Sequence, residues 1–204
     1  VPFLMGFLLI VVVAMLERFF TLNKAKGKGS IAAFVRKIQA YLHANDVEGA
    51  IAECDKQRGS VANVVRNGLV KYGQMQNDST LSMEQKVGAI ASEIEESTSL
   101  ELPILEKNLP ILATLAPTAT LLGLIGTVLG MIRAFAALAN AGAPDAGALA
   151  TGISEALINT ALGISTSFFA IIAYSYFTNK IDQMTYGIDE ASFSMQQTFT
   201  NMNR

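Results

Sequence analysis

The stretch LPILATLAPTATLLGLIGTVLGMI, residues 109–132, decides the fold because it runs for 24 residues without a charge. A second run of 24 uncharged residues covers Ala156–Asn179, and a third apolar segment, Val1–Leu16, opens the chain. A helix needs about 20 predominantly apolar residues to cross the hydrocarbon core of a membrane. The sequence therefore predicts an all-α integral membrane protein with three transmembrane helices and long helices that extend into the cytoplasm.

The basic residues predict the orientation of the spans. Of the 15 lysines and arginines, 12 lie between Arg18 and Lys107. The connector NAGAPDAG, residues 140–147, contains none. Because loops rich in lysine and arginine remain on the cytoplasmic side, we expect the segment between Arg18 and Lys107 to be cytoplasmic. The N-terminus is then expected in the periplasm and the C-terminus in the cytoplasm.

The predicted organisation has six parts. Within the first cytoplasmic segment, a helix is expected to start at Asn45 or Asp46 and to stop near Gly59, and a long helix to start near Ser82. The chain opens on a valine inside an apolar run, so we expect its true N-terminus to be missing or processed. The six parts are transmembrane helix 1 at 1–22, a cytoplasmic helical segment at 23–100, transmembrane helix 2 at 101–140, a periplasmic connector at 141–147, transmembrane helix 3 at 148–180 and a cytoplasmic C-terminal helix at 181–204.

Three prolines recur every seven residues around the start of the second span, at Pro103, Pro110 and Pro117. Each proline frees a backbone carbonyl of its helix, and inside a membrane such groups must be satisfied by neighbours or by water. One interpretation is a gently kinked helix that enters the membrane without a break. The other is a hinge.

Composition argues against several classes of function. The formal net charge of -2 disfavours a nucleic-acid partner. The single cysteine, Cys54, excludes a disulfide within one chain, and the single histidine, His43, is expected to be a surface or packing residue. The sequence contains no metal-binding cluster, nucleophile–base pair or phosphate-binding loop. We therefore expect no enzymatic activity, no metal and no cofactor.

The short connector makes the second and third spans antiparallel neighbours, so their residues can be matched by depth. Thr127 lies 17 residues before Pro144, and Thr160 lies 16 after it. Arg133 and Glu155 lie 11 residues before and after the same proline. Each pair is therefore expected to share a level in the membrane.

Glu155 has two interpretations. In the first, Glu155 pairs with Arg133 near the outer interface and fastens the hairpin. In the second, it faces a water-filled lumen and belongs to an ion path. Ionisable groups in membrane spans are costly and usually face a bundle interior or cavity. Asn159, four residues later, lies on the same helical face and extends a polar stripe.

Small residues form a second stripe, which predicts close helix packing. The second span carries Gly126 and Gly130 at a spacing of four, and the third carries Ala156 and Gly163 around Thr160. Two interpretations of this stripe are open. It serves the packing of one hairpin alone, or it lets several hairpins form a ring around a central space.

The segments APTATLLGLIGTVLGMIRAF (116–135) and GISEALINTALGISTSFFAIIAYSYF (152–177) resemble the two signature spans of the ExbB/TolQ family. That family is related to the MotA flagellar stator subunits, whose members have four spans rather than three. The span count favours ExbB/TolQ, and ExbB is the favoured relative. By motif match, Glu155 corresponds to the family's third-span glutamate, and Thr127 and Thr160 to its lumen-facing threonines. Arg133 departs from the motif.

The resemblance implies a homopentameric ring in the lipid of the bacterial inner membrane. The ring encloses helices of an ExbD-like or TolR-like partner, and protons cross along the lumen. The complex then drives a TonB-like protein and so powers TonB-dependent transport across the outer membrane. Three alternatives remain: a TolQ-like subunit of the Tol-Pal envelope system, a structural scaffold for the partner without a direct ion path, and a stand-alone channel.

Overall fold

The computed structural model describes residues 2–140 and 146–202, so the turn predicted around Pro144 lies outside the described residues. All regular secondary structure within the described ranges is α-helical, in agreement with the predicted fold class. The helices, in chain order, are α1 (Pro2–Lys26), α2 (Ile31–His43), α3 (Val47–Gln57), α4 (Ser60–Asn77), α5 (Met83–Glu106), α6 (Leu109–Asn140) and α7 (Ala146–Met202).

Three helical stretches are long and apolar enough to cross a membrane: Pro2–His43, Met83–Ala139 and Ala146–Met202. The first two stretches each contain a short interruption, between α1 and α2 and between α5 and α6. The membrane-spanning helices are therefore α1, α6 and the apolar part of α7. These helices make the chain an all-α, multi-pass membrane protein.

The chain divides into two compact units. The first, here called the membrane unit, consists of the chain up to Phe19 together with Asn108–Phe177. The second, here called the polar unit, consists of Phe20–Lys107 together with the chain from Thr178 onward. The candidate site predicted from the sequence lies entirely within the membrane unit.

In the membrane unit, α6 and α7 approach each other closely because glycines line their contact. A methyl group on Gly163 would stand 2.7 Å from the carbonyl oxygen of Ala119 and 2.9 Å from the Cα atom of Gly123. A methyl group on Gly130 would stand 2.9 Å from the Cβ atom of Ala156. Small residues of this kind let helix backbones pack without a hydrophobic driving force, as membrane helices require.

In the polar unit, amphipathic helices bury large side chains. The core includes Phe34, Leu69 and Ile90, all almost completely buried. The Tyr72 ring packs edge-to-face on Phe199, with 4.9 Å between the ring centroids. This is the packing of a helical bundle in water, where each helix turns one apolar stripe inward.

Side-chain caps fix two helix starts near the predicted positions. Asp46 precedes α3, and its carboxylate accepts a 2.8 Å hydrogen bond from the backbone N–H of Gly49. Ser82 precedes α5 and forms a reciprocal capping box with Gln85. Both caps satisfy backbone N–H groups that a helix start otherwise leaves unpaired.

The chain breaks between α5 and α6 instead of continuing into the second span as one kinked helix. α5 ends at Glu106, and Asn108 has a φ of 65°, in the left-handed region. The ring of Pro110 would clash with the carbonyl of Glu106, four residues earlier, if the helix continued. Pro103 and Pro117, by contrast, lie inside α5 and α6.

α7 is a single helix from Ala146 to Met202, and it covers both the predicted third span and most of the predicted C-terminal helix. Lys180 marks the end of the uncharged run but not the end of the helix. A change from apolar to charged residues alters the preferred solvent of a helix but does not by itself end the helix.

Candidate functional site

Thr127 of α6 and Thr160 of α7 lie at the same level, and their hydroxyl groups are hydrogen-bonded to each other. The Thr127 hydroxyl also donates a 3.1 Å hydrogen bond to the carbonyl oxygen of Gly123 and lies 3.4 Å from the carbonyl oxygen of Ala156. A hydroxyl has one proton to donate. Because the proton of Thr127 has more than one acceptor within reach, either hydroxyl can donate to the other.

The glycine contacts explain why the two hydroxyls meet. Gly123 faces the backbone of α7, where a methyl group would stand 3.2 Å from the Cα atom of Gly163 and 3.4 Å from that of Thr160. Larger residues there would separate the helices and with them the threonines. The structure thus places three of the predicted small residues (Gly130, Ala156 and Gly163) at the contact that holds the hydroxyl pair.

Asn159 lies one residue before Thr160 and packs against Gly126. A methyl group on Gly126 would stand 2.8 Å from the Cβ atom of Asn159 and 3.1 Å from its amide nitrogen. The Oδ1 atom of Asn159 is buried and has no hydrogen-bond partner within the described chain. A buried acceptor without a donor costs about 1–3 kcal/mol. Asn159 therefore offers a free acceptor next to the hydroxyl pair.

Glu155 and Arg133 line one cleft of about 390 Å³ together with Asn159. Both charged side chains are exposed. No ion pair joins them within the part of the chain that the structure describes, so they do not fasten the hairpin inside one chain. The first described residues of α1 complete the lining, at Pro2, Phe3 and Leu4.

A polar cluster that the sequence did not predict lies in the membrane unit, where the apolar run of α1 ends. The carboxylate of Glu17 accepts two 2.6 Å hydrogen bonds from the guanidinium of Arg18, which is almost completely buried. The same carboxylate accepts a 3.2 Å hydrogen bond from the side-chain amide of Asn108. The cluster connects α1, at Glu17, to the turn before α6. Its signal in the sequence is the Glu-Arg pair that ends the first apolar run.

Two titratable groups of the polar unit have environments that explain their chemistry. Burial raises the pKa of the Cys54 thiol to about 12, which keeps it protonated and unreactive. The Lys37 ammonium donates a 2.6 Å hydrogen bond to Glu53 and thereby lowers the pKa of that carboxyl. Within residues 2–140 and 146–202, no group of three histidine, cysteine or acidic side chains is placed to hold a metal ion.

A comparison with protein families matches residues 58–190 to the MotA/TolQ/ExbB proton channel family, which is about two thirds of the chain. The chain belongs to that family. The matched range contains the candidate site residues of α6 and α7. No curated protein matches the chain significantly.

Membership defines the general role of the site. The family consists of membrane channels rather than enzymes, and its members form channel complexes with partner proteins. The chain is therefore a multi-pass membrane protein with a proton-channel role in a motor-like system.

Proposed function

We propose that this chain is an ExbB-like proton-channel subunit that energises TonB-dependent transport across the outer membrane. Five copies form a ring in the bacterial inner membrane, around helices of an ExbD-like or TolR-like partner. The observation that carries the proposal is the hydroxyl pair of Thr127 and Thr160, which lies within the uncharged runs of α6 and α7.

The hydroxyl pair passes or positions a proton but does not bind one permanently. Each hydroxyl both donates and accepts, so the pair can relay a proton or hold a water molecule in line. The nearest acid on these two helices, Glu155, lies five residues before Thr160, about 7.5 Å along the helix axis. The carboxylate that carries the proton at the level of the threonines is therefore supplied by the partner helix.

Glu155, Asn159 and Arg133 form the polar approach to the pair. An ionisable group within a span is costly and normally faces a cavity, and all three residues line the same cleft. Asn159, whose Oδ1 atom is a free acceptor within the described chain, lies between Glu155 and Thr160 in sequence. A hydrated proton or a partner's donor group satisfies this acceptor when it passes.

The proton-motive force is large enough for mechanical work. One proton that crosses 100 mV releases about 2.3 kcal/mol. A pH difference of one unit adds about 1.4 kcal/mol. Interhelical contacts in membranes contribute about 1 kcal/mol each. Two or three protons per step thus offset the breaking of several contacts between the ring and the partner.

The charge distribution supports an orientation for this ring. Twelve of the 15 lysines and arginines lie between Arg18 and Lys107. The positive-inside rule then puts the polar unit in the cytoplasm, the N-terminus in the periplasm and the C-terminus in the cytoplasm. In this orientation Glu155 lies toward the periplasmic ends of α6 and α7, where protons arrive.

The first test is the Glu155→Ala variant in cells that depend on TonB-driven uptake. We expect uptake to be abolished, while the mass of the intact purified complex shows the same ring and the same bound partner. Glu96→Ala removes an exposed acid of the polar unit and should leave uptake unchanged. Full uptake with Glu155→Ala would exclude the ion-path role of this glutamate.

One observation favours a second function, a scaffold that holds the partner without an ion path. The Thr127 hydroxyl already donates to the carbonyl of Gly123, as structural threonines in membrane helices do. In a scaffold, Thr127→Val and Thr160→Val variants would retain uptake if the complex assembles. In a proton path they lose it. The partner that copurifies, ExbD-like or TolR-like, distinguishes the ExbB role from a TolQ-like role in the Tol-Pal system.

A further inference from the structure

A second cleft, of about 740 Å³, lies in the polar unit where the turn after α1 meets the turn between α3 and α4. Three cations line it: Lys24, Lys28 and Arg58. No acidic side chain lines it, and the one apolar side chain larger than alanine in its lining is Ile104 of α5. The cleft is thus basic, with an apolar wall on one side.

The backbone of this cleft is fixed by contacts between the two turns. The N–H of Lys28 donates a 2.8 Å hydrogen bond to the carbonyl of Gln57, whose side-chain amide donates to the carbonyl of Lys26 at 3.3 Å. Gly27 and Gly59 both have positive φ, at 73° and 91°. A methyl group on Gly59 would stand 2.2 Å from a carbonyl oxygen of the other turn, so only glycine permits this approach.

The three cations have no counter-ion within the described chain. None of the ion pairs between described residues includes Lys24, Lys28 or Arg58, and all three are exposed. Asn63, which also lines the cleft, donates a hydrogen bond from its side-chain amide to Glu101, a residue outside the lining. Like charges held on one surface repel each other unless an anion binds between them.

Two residues of the cleft lie close in sequence to membrane-spanning helices. Lys24 belongs to the last turn of the spanning helix α1, and Phe20, one turn earlier, is 68% exposed. Four residues of helix rise about 6 Å. Each head-group layer of a bilayer is about 5–7 Å thick. With the exposed Phe20 ring at the edge of the hydrocarbon, Lys24 would reach the phosphates. Ile104, 55% exposed, precedes the first residue of α6 by five positions in the sequence.

We propose that this cleft binds the head group of an anionic phospholipid. The phosphate is held by Lys24, Lys28 and Arg58, and the first carbons of the glycerol and acyl chains lie against Ile104. The apolar wall favours a lipid over free phosphate, because phosphate alone has nothing to bury there. The site anchors the turn that follows α1 to one leaflet, and it belongs to the polar unit, whereas Thr127 and Thr160 belong to the membrane unit.

The test measures phospholipid binding to the full-chain complex in neutral detergent by native mass spectrometry. Phosphatidylglycerol and phosphatidylcholine with the same acyl chains are titrated separately. We expect the triple variant Lys24→Gln, Lys28→Gln and Arg58→Gln to lose phosphatidylglycerol affinity by about tenfold or more, since juxtamembrane cations each favour anionic lipid. The matched control also removes two lysines and one arginine from the polar unit: Arg36→Gln, Lys71→Gln and Lys86→Gln. It should bind as the wild type does.

Four results would overturn the proposal. They are equal binding of the two lipids by the wild type, unchanged phosphatidylglycerol binding by the cleft variant, an equal loss in the control variant, and displacement of the lipid by inorganic phosphate at the same concentration. An Ile104→Ser variant further distinguishes a phospholipid site from a site for inorganic phosphate. It should weaken phosphatidylglycerol binding severalfold, whereas a site for phosphate alone would not respond.

Discussion

The membrane unit and the polar unit pack helices by opposite rules. In the polar unit large side chains point inward, as Leu69 and Tyr72 do, and both are fully buried. In the membrane unit large side chains point outward, as Leu124 and Ile132 do at 50% and 59% exposure, and glycines fill the contact between α6 and α7. The difference follows from the solvent, because water drives apolar groups together and lipid does not.

The contrast also explains where function lies. A contact made of glycines leaves room for a polar group between helices, and the hydroxyl pair of Thr127 and Thr160 occupies that room. A core of large side chains leaves no such room and serves stability instead. Variants that exchange one kind of packing for the other therefore test the comparison.

The largest effect is expected in the core of the polar unit. Tyr72→Ala removes a fully buried ring that packs on Phe199, and comparable aromatic truncations cost about 3–5 kcal/mol. Hydrogen exchange of the α4 amides in detergent measures the loss. Tyr186, 76% exposed on α7, provides the control, and Tyr186→Ala should change exchange little. Equal effects of the two variants would refute the assigned core.

Gly163→Ala is expected to have a smaller effect on stability, but this effect falls on the contact between α6 and α7 that holds the hydroxyl pair. The added methyl group would press on the carbonyl of Ala119 and the Cα atom of Gly123, and neither backbone can rotate away. Overpacking of this kind costs about 1–3 kcal/mol. A distance measurement between labels on α6 and α7 should show the helices moved apart.

The matched control for that variant is Gly6→Ala in α1, where an added methyl group would meet nothing within 4 Å. It should leave the separation of α6 and α7 unchanged, and its better helix propensity should stabilise α1 slightly. If Gly163→Ala also left the separation of α6 and α7 unchanged, the close approach of the two helices would be refuted.

The capping box of α5 should contribute about 1 kcal/mol. Ser82→Ala removes the oxygen that accepts a hydrogen bond from the N–H of Gln85, and the loss of an N-cap costs about that amount. Faster hydrogen exchange in the first turn of α5 should report it. Ser92→Ala, at an exposed position in the middle of the same helix, should not destabilise that turn.

The smallest effect depends on pH. The hydrogen bond from Lys37 lowers the pKa of Glu53. The contribution of Glu53 to the stability of the polar unit is therefore complete above the ordinary glutamate pKa of about 4.3, and it is lost as the pH falls through the lowered pKa. Glu53→Gln should remove this loss, which amounts to no more than about 1 kcal/mol for such a pair. Stability of the polar unit measured at pH 6 and pH 3 tests it. Glu96→Gln, at an exposed position, should keep the wild-type pH dependence.

The sequence predicted the three spans and the shared level of Thr127 and Thr160 because both depend on simple counting. Two uncharged runs located α6 and the first part of α7, and equal distances from Pro144 matched Thr127 with Thr160. The signature spans also indicated the family to which the chain belongs.

The features that the sequence did not predict depend on long-range contacts or on local backbone geometry. The contact of Glu17 with Asn108 joins residues far apart in the chain. The break before α6 depends on Pro110 acting on Glu106, and proline spacing alone did not distinguish it from a kink. An Arg133–Glu155 pair remains a prediction for contacts between neighbouring chains, since none forms within one.

The most direct test of the proton path is proton flux in liposomes that contain the chain with its partner under a fixed membrane potential. The account predicts that replacing Thr127 and Thr160 together by valine lowers flux at least about tenfold, equivalent to about 1.4 kcal/mol of barrier. Thr118→Val removes a hydroxyl that donates only within α6, and it should conduct as the wild type does. Wild-type flux from the double valine variant, in a fully assembled complex, would contradict the account.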